Sequence, residues 1–333
     1  MQLQWWCSAQ TAAWEWSWRP YPGVWIFIAL LALGYRALLR GSTHGAGAPR
    51  IASFAAGLAC LWIALDWPIG ALGAGYLASV HMVQFLLIAL IAPPLLLWGI
   101  PPAVHGAAAS APLPGGAAAD GTVADGTVAD GTAADAAAAD TTATGNPLGS
   151  RALRLATHPL VAFLLFNVIV AATHTPAVTD TLMATQLGSF VIDVAWLTGG
   201  LLFWAPVAAA APARPYFHEL LKIGYITAQA IFMTPVFLYL TFSDHPVYAT
   251  YELAPPVAGI EALADQRVAG LIMKIIGGLV LMAALTILFF RWAQRSGDDP
   301  AALRAGAASG VAPAPPASAG AASERSAARE RPA

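Results

Sequence analysis

His81 and Met82 stand side by side at the head of an apolar run, SVHMVQFLLIALIAPPLLLWGIPP, residues 79–102. Imidazole and thioether are side chains that suit copper, and thioether favours Cu(I). Adjacent residues at a helix entrance can both reach one ion, although they do not share a helical face. His174 closes a later apolar run, Met183 follows it, and His245 lies in a loop further on. With the topology argued below, all of these fall at one membrane face. The candidate metal ligands are therefore His81, Met82, His174, Met183 and His245, and the metal they suggest is a transiently held copper ion. A lone interfacial histidine is more often a snorkelling or hydrogen-bonding residue; here the argument rests on convergence. No GxSxG, HExxH, phosphate loop or Ser/His/Asp arrangement occurs, so no catalytic residue is assigned and the chain is not read as an enzyme.

These residues need a membrane scaffold. Of the 333 residues, 58% are hydrophobic and 10% are charged, and mean hydropathy is +0.64, whereas soluble domains carry about 25% charged residues. Crossing the hydrocarbon core takes about 20 apolar residues in a helix. Seven continuous runs qualify: 22–39, 51–68, 78–98, 158–174, 187–207, 221–242 and 268–291. Their continuity predicts an all-α, polytopic seven-helix bundle rather than a barrel. Thirteen of the 16 Lys and Arg residues fall on the side reached after the first span. Only Arg19 and Arg267 fall opposite, and Lys274 lies within the last span. Basic residues are retained in the cytoplasm, which predicts a multi-pass protein with an external N-terminus and a cytoplasmic C-terminus.

Two charges lie at depth, Asp193 in the fifth run and Lys274 in the seventh. Each costs about 2.5 to 3.5 kcal/mol on insertion scales when buried alone. Each sits about six residues, roughly 9 Å, inside its external helix end, and the matched depths predict that they pair. Gln186, Ser189 and Asp193 share one helical face by i, i+3, i+7 spacing, and Gln266, Gly270 and Lys274 share another by i, i+4, i+8. Both stripes point inward. Gly270, Gly277 and Gly278 admit close approach of a neighbouring helix.

The remaining segments bound the function. No basic cluster is able to neutralise a phosphate backbone, so nucleic acid is excluded as a partner and the lipid bilayer is the first one. Cys7 and Cys60 match neither a zinc site nor a disulfide framework. Residues 1–21 form a Trp-rich external segment whose indoles suit the membrane interface. Residues 22–292 form the membrane domain, interrupted by a low-complexity cytoplasmic loop at 103–150 that contains ADGTVADGTVADGTAAD. The aspartates of that repeat lack the spacing and closing glutamate of a calcium loop. Residues 293–333 read as a disordered cytoplasmic tail.

Several pieces resemble the polytopic CtaG family of cytochrome c oxidase assembly factors. They are WPIGALGAGYLASVHMVQFLLIALIAPPLLLWGIP, HPLVAFLLFNVIVAATHTPAVTD, GGLLFWAPV, FSDHPVYATYE and DQRVAGLIMKIIGG. They occur in the family's order over about residues 14–292, the repeat excepted. The resemblance implies a seven-helix, multi-pass protein of the bacterial inner membrane that helps mature the copper-containing subunits of a respiratory oxidase by handling copper at the outer face. It matches His81 and Met82 to the family's helix-head pair, His174 to its His-x-Pro corner, and Asp265 and Gln266 to its external Asp-Gln pair. Phe85 and Asp193 stand where the family commonly has histidines. The partners implied are cytochrome c oxidase subunits, and a homo-oligomer is left open. Rival readings are a copper permease, a haem-binding redox subunit with His81 and His174 as the axial pair, and a metal-free scaffold for oxidase subunits.

Overall fold

The computed structural model describes residues 4–41, 46–101, 152, 155–208, 217 and 219–297. The repeat loop and almost all of the tail lie outside the described residues, although the last helix runs to Gly297. Among the described residues there is no strand. Six helices are long and apolar enough to cross a membrane, and a bent helix pair supplies a seventh span if its two halves count as one. The chain is an all-helical, multi-pass membrane protein.

Helices α1 (Pro22–Gly41) and α2 (Ala48–Leu65) lead into the short α3 (Ile69–Gly75) and the central α4 (Ala78–Gly99). Helices α5 (Pro159–Thr173) and α6 (Pro176–Met183) form the bent pair, and α7 (Gln186–Ala208) follows. Helix α8 (Glu219–Phe242) breaks at Met233, α9 (Ala249–Glu252) is a single turn, and α10 (Ala262–Gly297) ends the described chain. Helix α4 packs against α2, α7 and α10, while α1 leans chiefly on α2. Accordingly 61% of the apolar window of α4 is buried inside the protein, against 11% for α1. In a bilayer the exposed apolar side chains of α1 and α10 meet lipid.

Pro93 and Pro94 shape the middle of α4. A proline inside a helix lacks the N–H that would bond four residues back, and its ring crowds that carbonyl. The chain answers with a π-helical turn over Leu87–Ile91, a device that widens the backbone around such a defect. The Ala89 carbonyl abuts Gly200 of α7, where a Cβ would also come within 2.7 Å of Pro93 Cγ. Only glycine lets α7 lie this close.

The fourth span is shorter than expected. Helix α5 has 15 residues, about 22 Å at 1.5 Å each, and the chain turns by 72° into α6. The cause is the Thr175-Pro176 pair. A residue before proline prefers extended backbone, and Thr175 adopts φ −78°, ψ 124°. His174 sits at that corner. Helices α3, α6 and α9 and residues 4–12 close one end of the bundle, called here the N-terminal face. Of the three glycines expected at helix contacts, Gly270 meets Thr241 and the Phe237 carbonyl and Gly277 meets Leu86, but Gly278 has open space around it.

Candidate functional site

Three spans and one bend bring three of the five candidate ligands, His81, His174 and Met183, around Trp196 and Tyr251 at the N-terminal face. The first turn of α4 carries His81, and its start is fixed from another span: the Asp265 carboxylate of α10 accepts from Ser79 N–H at 3.2 Å and from the Ser79 hydroxyl. A carboxylate there satisfies N–H groups that a helix start leaves open and favours the positive end of its dipole. Gln266, next to Asp265, accepts from Val247 N–H at 2.6 Å and donates to the Leu240 carbonyl at 3.2 Å. The Asp-Gln pair thus pins the start of α4 and the chain around Val247, and among the described residues neither side chain bonds a histidine ring. Helix α3 presses on the other side, and a Cβ at Gly73 would stand 3.1 Å from His81 N and 2.6 Å from Gln84 Oε1.

His81 and His174 flank Trp196 of α7, their ring centroids 4.9 and 6.3 Å from it. Both histidines are buried, at 7% and 6% exposure. His174 Nδ1 lies 2.8 Å from the Val170 carbonyl. A carbonyl only accepts, so Nδ1 carries the proton and Nε2 of the neutral ring keeps its lone pair. That Nε2 is buried without a partner, as is Nδ1 of His81. Buried polar atoms are nearly always bonded, and two bare imidazole nitrogens around one indole call for an explanation. A backbone carbonyl holding the far N–H of a histidine is also the usual outer shell of a metal ligand.

Sulfur lies nearby. Tyr251 packs its ring 5.8 Å from His81, donates to the Gly73 carbonyl at 2.8 Å, and approaches Met183 Sδ at 3.6 Å. Tyr248 donates to the His174 carbonyl at 3.0 Å. Burial pushes both phenols above the ordinary tyrosine range, so they stay neutral donors. Outside Tyr251 opens a pocket of about 250 Å³ lined by Tyr76, Pro255, Pro256, Glu252, Glu261 and Asp265 among others.

The other expected ligands lie elsewhere. Met82 is buried in the main apolar core. His245 is exposed, and among its recorded contacts only its backbone bonds, to Ser243 and Gln266. Phe85 is fully buried, 5.1 Å from both His174 and Trp196, so a position where the resemblance expects histidine does line the site. Among the described residues no group of three or more His, Cys, Asp and Glu side chains is placed to hold a metal. What remains is two imidazoles beside Trp196 and a thioether beside Tyr251, donor types that suit Cu(I) better than a hard divalent cation.

The expected Asp193–Lys274 pair does not form. Asp193 accepts from Trp6 Nε1 at 2.8 Å and from Gln84 Nε2 at 3.2 Å. Lys274 donates to Thr234 Oγ1 at 2.8 Å and to the Ala230 carbonyl at 3.4 Å, beside the break in α8. Equal depth left the direction around the bundle unspecified, and the two side chains face different neighbours. The carbonyl end of the first half of α8 stabilises the ammonium. The stripe Gln186, Ser189, Asp193 does face inward, and Gln186 Oε1 accepts from the backbone N–H of Trp5 and Trp6 at 2.8 and 3.3 Å.

The N-terminal segment also departs from expectation. Trp16 and Trp18 are exposed, at 68% and 58%, as interfacial indoles would be, but Trp6 is buried at 1%. The functional residues that sequence reasoning missed are Trp6, Gln84, Trp196 and Tyr251. Three had a signal: Gln84 is three residues from His81, Trp196 continues the Asp193 stripe by three, and Tyr251 lies within the FSDHPVYATYE piece. Trp6 had none.

Comparison with curated proteins and with solved structures returns no match. A family model does match, over residues 29–295, and it is that of the cytochrome c oxidase caa3 assembly factors. The chain belongs to the caa3 assembly factor (CtaG) family of cytochrome c oxidase.

Proposed function

We propose that this protein carries Cu(I) to its client oxidase, with the N-terminal face outside the bacterial inner membrane. It acts as a carrier and not as a catalyst. The basic-residue asymmetry supports that orientation. The ligands are His174 Nε2, His81 Nδ1 and Met183 Sδ. The observation that carries the reading is the pair of buried imidazole nitrogens without partners, one of them fixed as a lone pair by its Val170 contact. Neutral imidazole and thioether leave the ion's single positive charge uncompensated, which suits a site that must release it.

Cu(I) stoichiometry of the detergent-purified protein under reducing conditions tests this. One ion per wild-type chain and none in the His81→Ala/His174→Ala double variant is the expected result. Equal copper in both would overturn the site. One observation favours a second reading, a metal-free scaffold for oxidase subunits: Phe85 packs against His174 and Trp196 with no exposure. Normal oxidase assembly with the double variant would select the scaffold.

A further inference from the structure

Residues 4–12 form no helix, yet they are bound into the N-terminal face as firmly as a structural element. Trp5 and Trp6 N–H meet Gln186 Oε1, Ala9 N–H donates to the Met183 carbonyl at 2.9 Å, and the Ala12 carbonyl accepts from the Tyr76 hydroxyl at 2.9 Å. From the level of Gln186 the Trp6 side chain reaches Asp193, seven residues further along α7 and about 10 Å deeper at 1.5 Å per residue. Its ring is boxed by Phe190 and Phe27, 4.9 and 5.9 Å away. Asp193 also holds Gln84, one turn from His81.

The segment therefore touches two parts of the candidate site, the backbone of Met183 and the polar stripe of α7, and reaches the imidazoles one residue removed: Asp193 lies one turn from Trp196 on α7 and bonds Gln84, one turn from His81 on α4. Tyr248 and Tyr251 cover the remaining side. Their loop is fastened to the site itself: Asp180 takes three hydrogen bonds from Ala249 and Thr250, and the two tyrosine hydroxyls bond the His174 and Gly73 carbonyls. Residues 4–12 can lift without breaking any bond inside a helix.

We propose that residues 4–12 are a strap that gates the His81/His174 site, latched by the Trp6 indole on Asp193, and that cargo enters or leaves only when the strap lifts. This rests on the copper reading for the identity of the cargo, but the gate itself is readable without copper. The strap contains its own reporter. Cys7 is 2% exposed with Sγ 3.4 Å from the Leu65 carbonyl, and burial, with the Asp193 charge next, holds its thiol well above the ordinary range. While latched, it resists alkylation.

The experiment uses the full chain in proteoliposomes with Cys60→Ala. A hydrophilic maleimide reads Cys7, and diethyl pyrocarbonate followed by peptide mass spectrometry reads His81 and His174. Trp6→Phe keeps most of the ring and removes the donor; losing a hydrogen bond to a carboxyl group raises opening about tenfold or more. The expected result is a matching rise in Cys7 and histidine modification, with the thermal transition of the bundle retained. Gln186→Leu leaves Trp6 intact, loosens the backbone anchor and shifts both rates in the same direction. A rise at Cys7 with the histidines unchanged would show a strap that opens without guarding the site, and unchanged rates in both variants would show no latch; either overturns the gate. Cu(I) uptake separates the two ideas. If wild type binds no copper while both rates rise together, the gate stands and the cargo is wrong. If copper loads equally fast in wild type and Trp6→Phe, the cargo stands and the gate falls.

Discussion

Two polar pairs lie within the bundle and are treated in opposite ways. Between α5 and α8, Asn167 and Gln229 face each other, with Asn167 Nδ2 donating to Gln229 Oε1 at 2.9 Å and Gln229 Nε2 returning a bond at 3.3 Å. Asn167 also donates to the Phe163 carbonyl at 2.8 Å. Gln229 is fully buried and Asn167 half-buried; at the N-terminal face His81 and His174 are both buried, yet one nitrogen on each is bare. The first pair holds helices together. The second bridges no helices through those nitrogens. Other buried polar atoms, Trp204 Nε1 and Thr241 Oγ1 among them, are bare as well, so the proposed ligand rests on two such imidazole nitrogens lying around one indole.

If that contrast is right, mutations in the two regions separate stability from cargo. The largest structural effect is expected at the close contact that fixes the central helix: Gly200→Leu drives a side chain into Ala89 and Pro93 and should cost about 3 kcal/mol or more, read as loss of folded protein in thermal unfolding. Next comes Asn167→Leu, which strands Gln229 and should cost about 1 to 3 kcal/mol. The double change Asn167→Leu/Gln229→Leu should recover most of that in the same assay, because no polar group is then left bare. His174→Gln inverts the pattern: unfolding should move by less than about 1 kcal/mol, while Cu(I) affinity measured by chelator competition falls at least about tenfold, the loss of about 1.4 kcal/mol. Equal losses of stability and copper would erase the distinction. Smallest is Met82→Leu, a near volume-conserving change expected to cost under about 1.5 kcal/mol with copper binding unchanged. Altered affinity there would return Met82 to the ligand set.

The spans were legible because a bilayer demands long continuous apolar runs, and that demand is written in one dimension. Helical periodicity also carried: Gln186, Ser189 and Asp193 do share an inward face. What failed was everything that depends on direction around the bundle or on contacts between distant segments. Asp193 and Lys274 match in depth, but depth does not say which neighbour a side chain faces. Met82, next to His81, points by helix geometry into the core, and His245 lies in a loop that turns it to the surface. The strap was hidden because a Trp-rich segment has one composition whether its indoles lie at an interface or plug a bundle. The short α3, built from Ile, Leu, Gly and Ala, has too weak a pattern to distinguish from a linker.

The bond from Asp265 to Ser79 has a consequence in time. The two residues are 186 positions apart, and ribosomes add about 5 to 20 residues per second. For roughly 10 to 40 seconds of synthesis at those rates, the turn that carries His81 exists without the carboxylate that finishes it. Its completion waits for the last span, so a truncated or half-inserted chain lacks the contact that sets the turn of His81. Asp265 makes the arrival of the final helix a checkpoint on that turn.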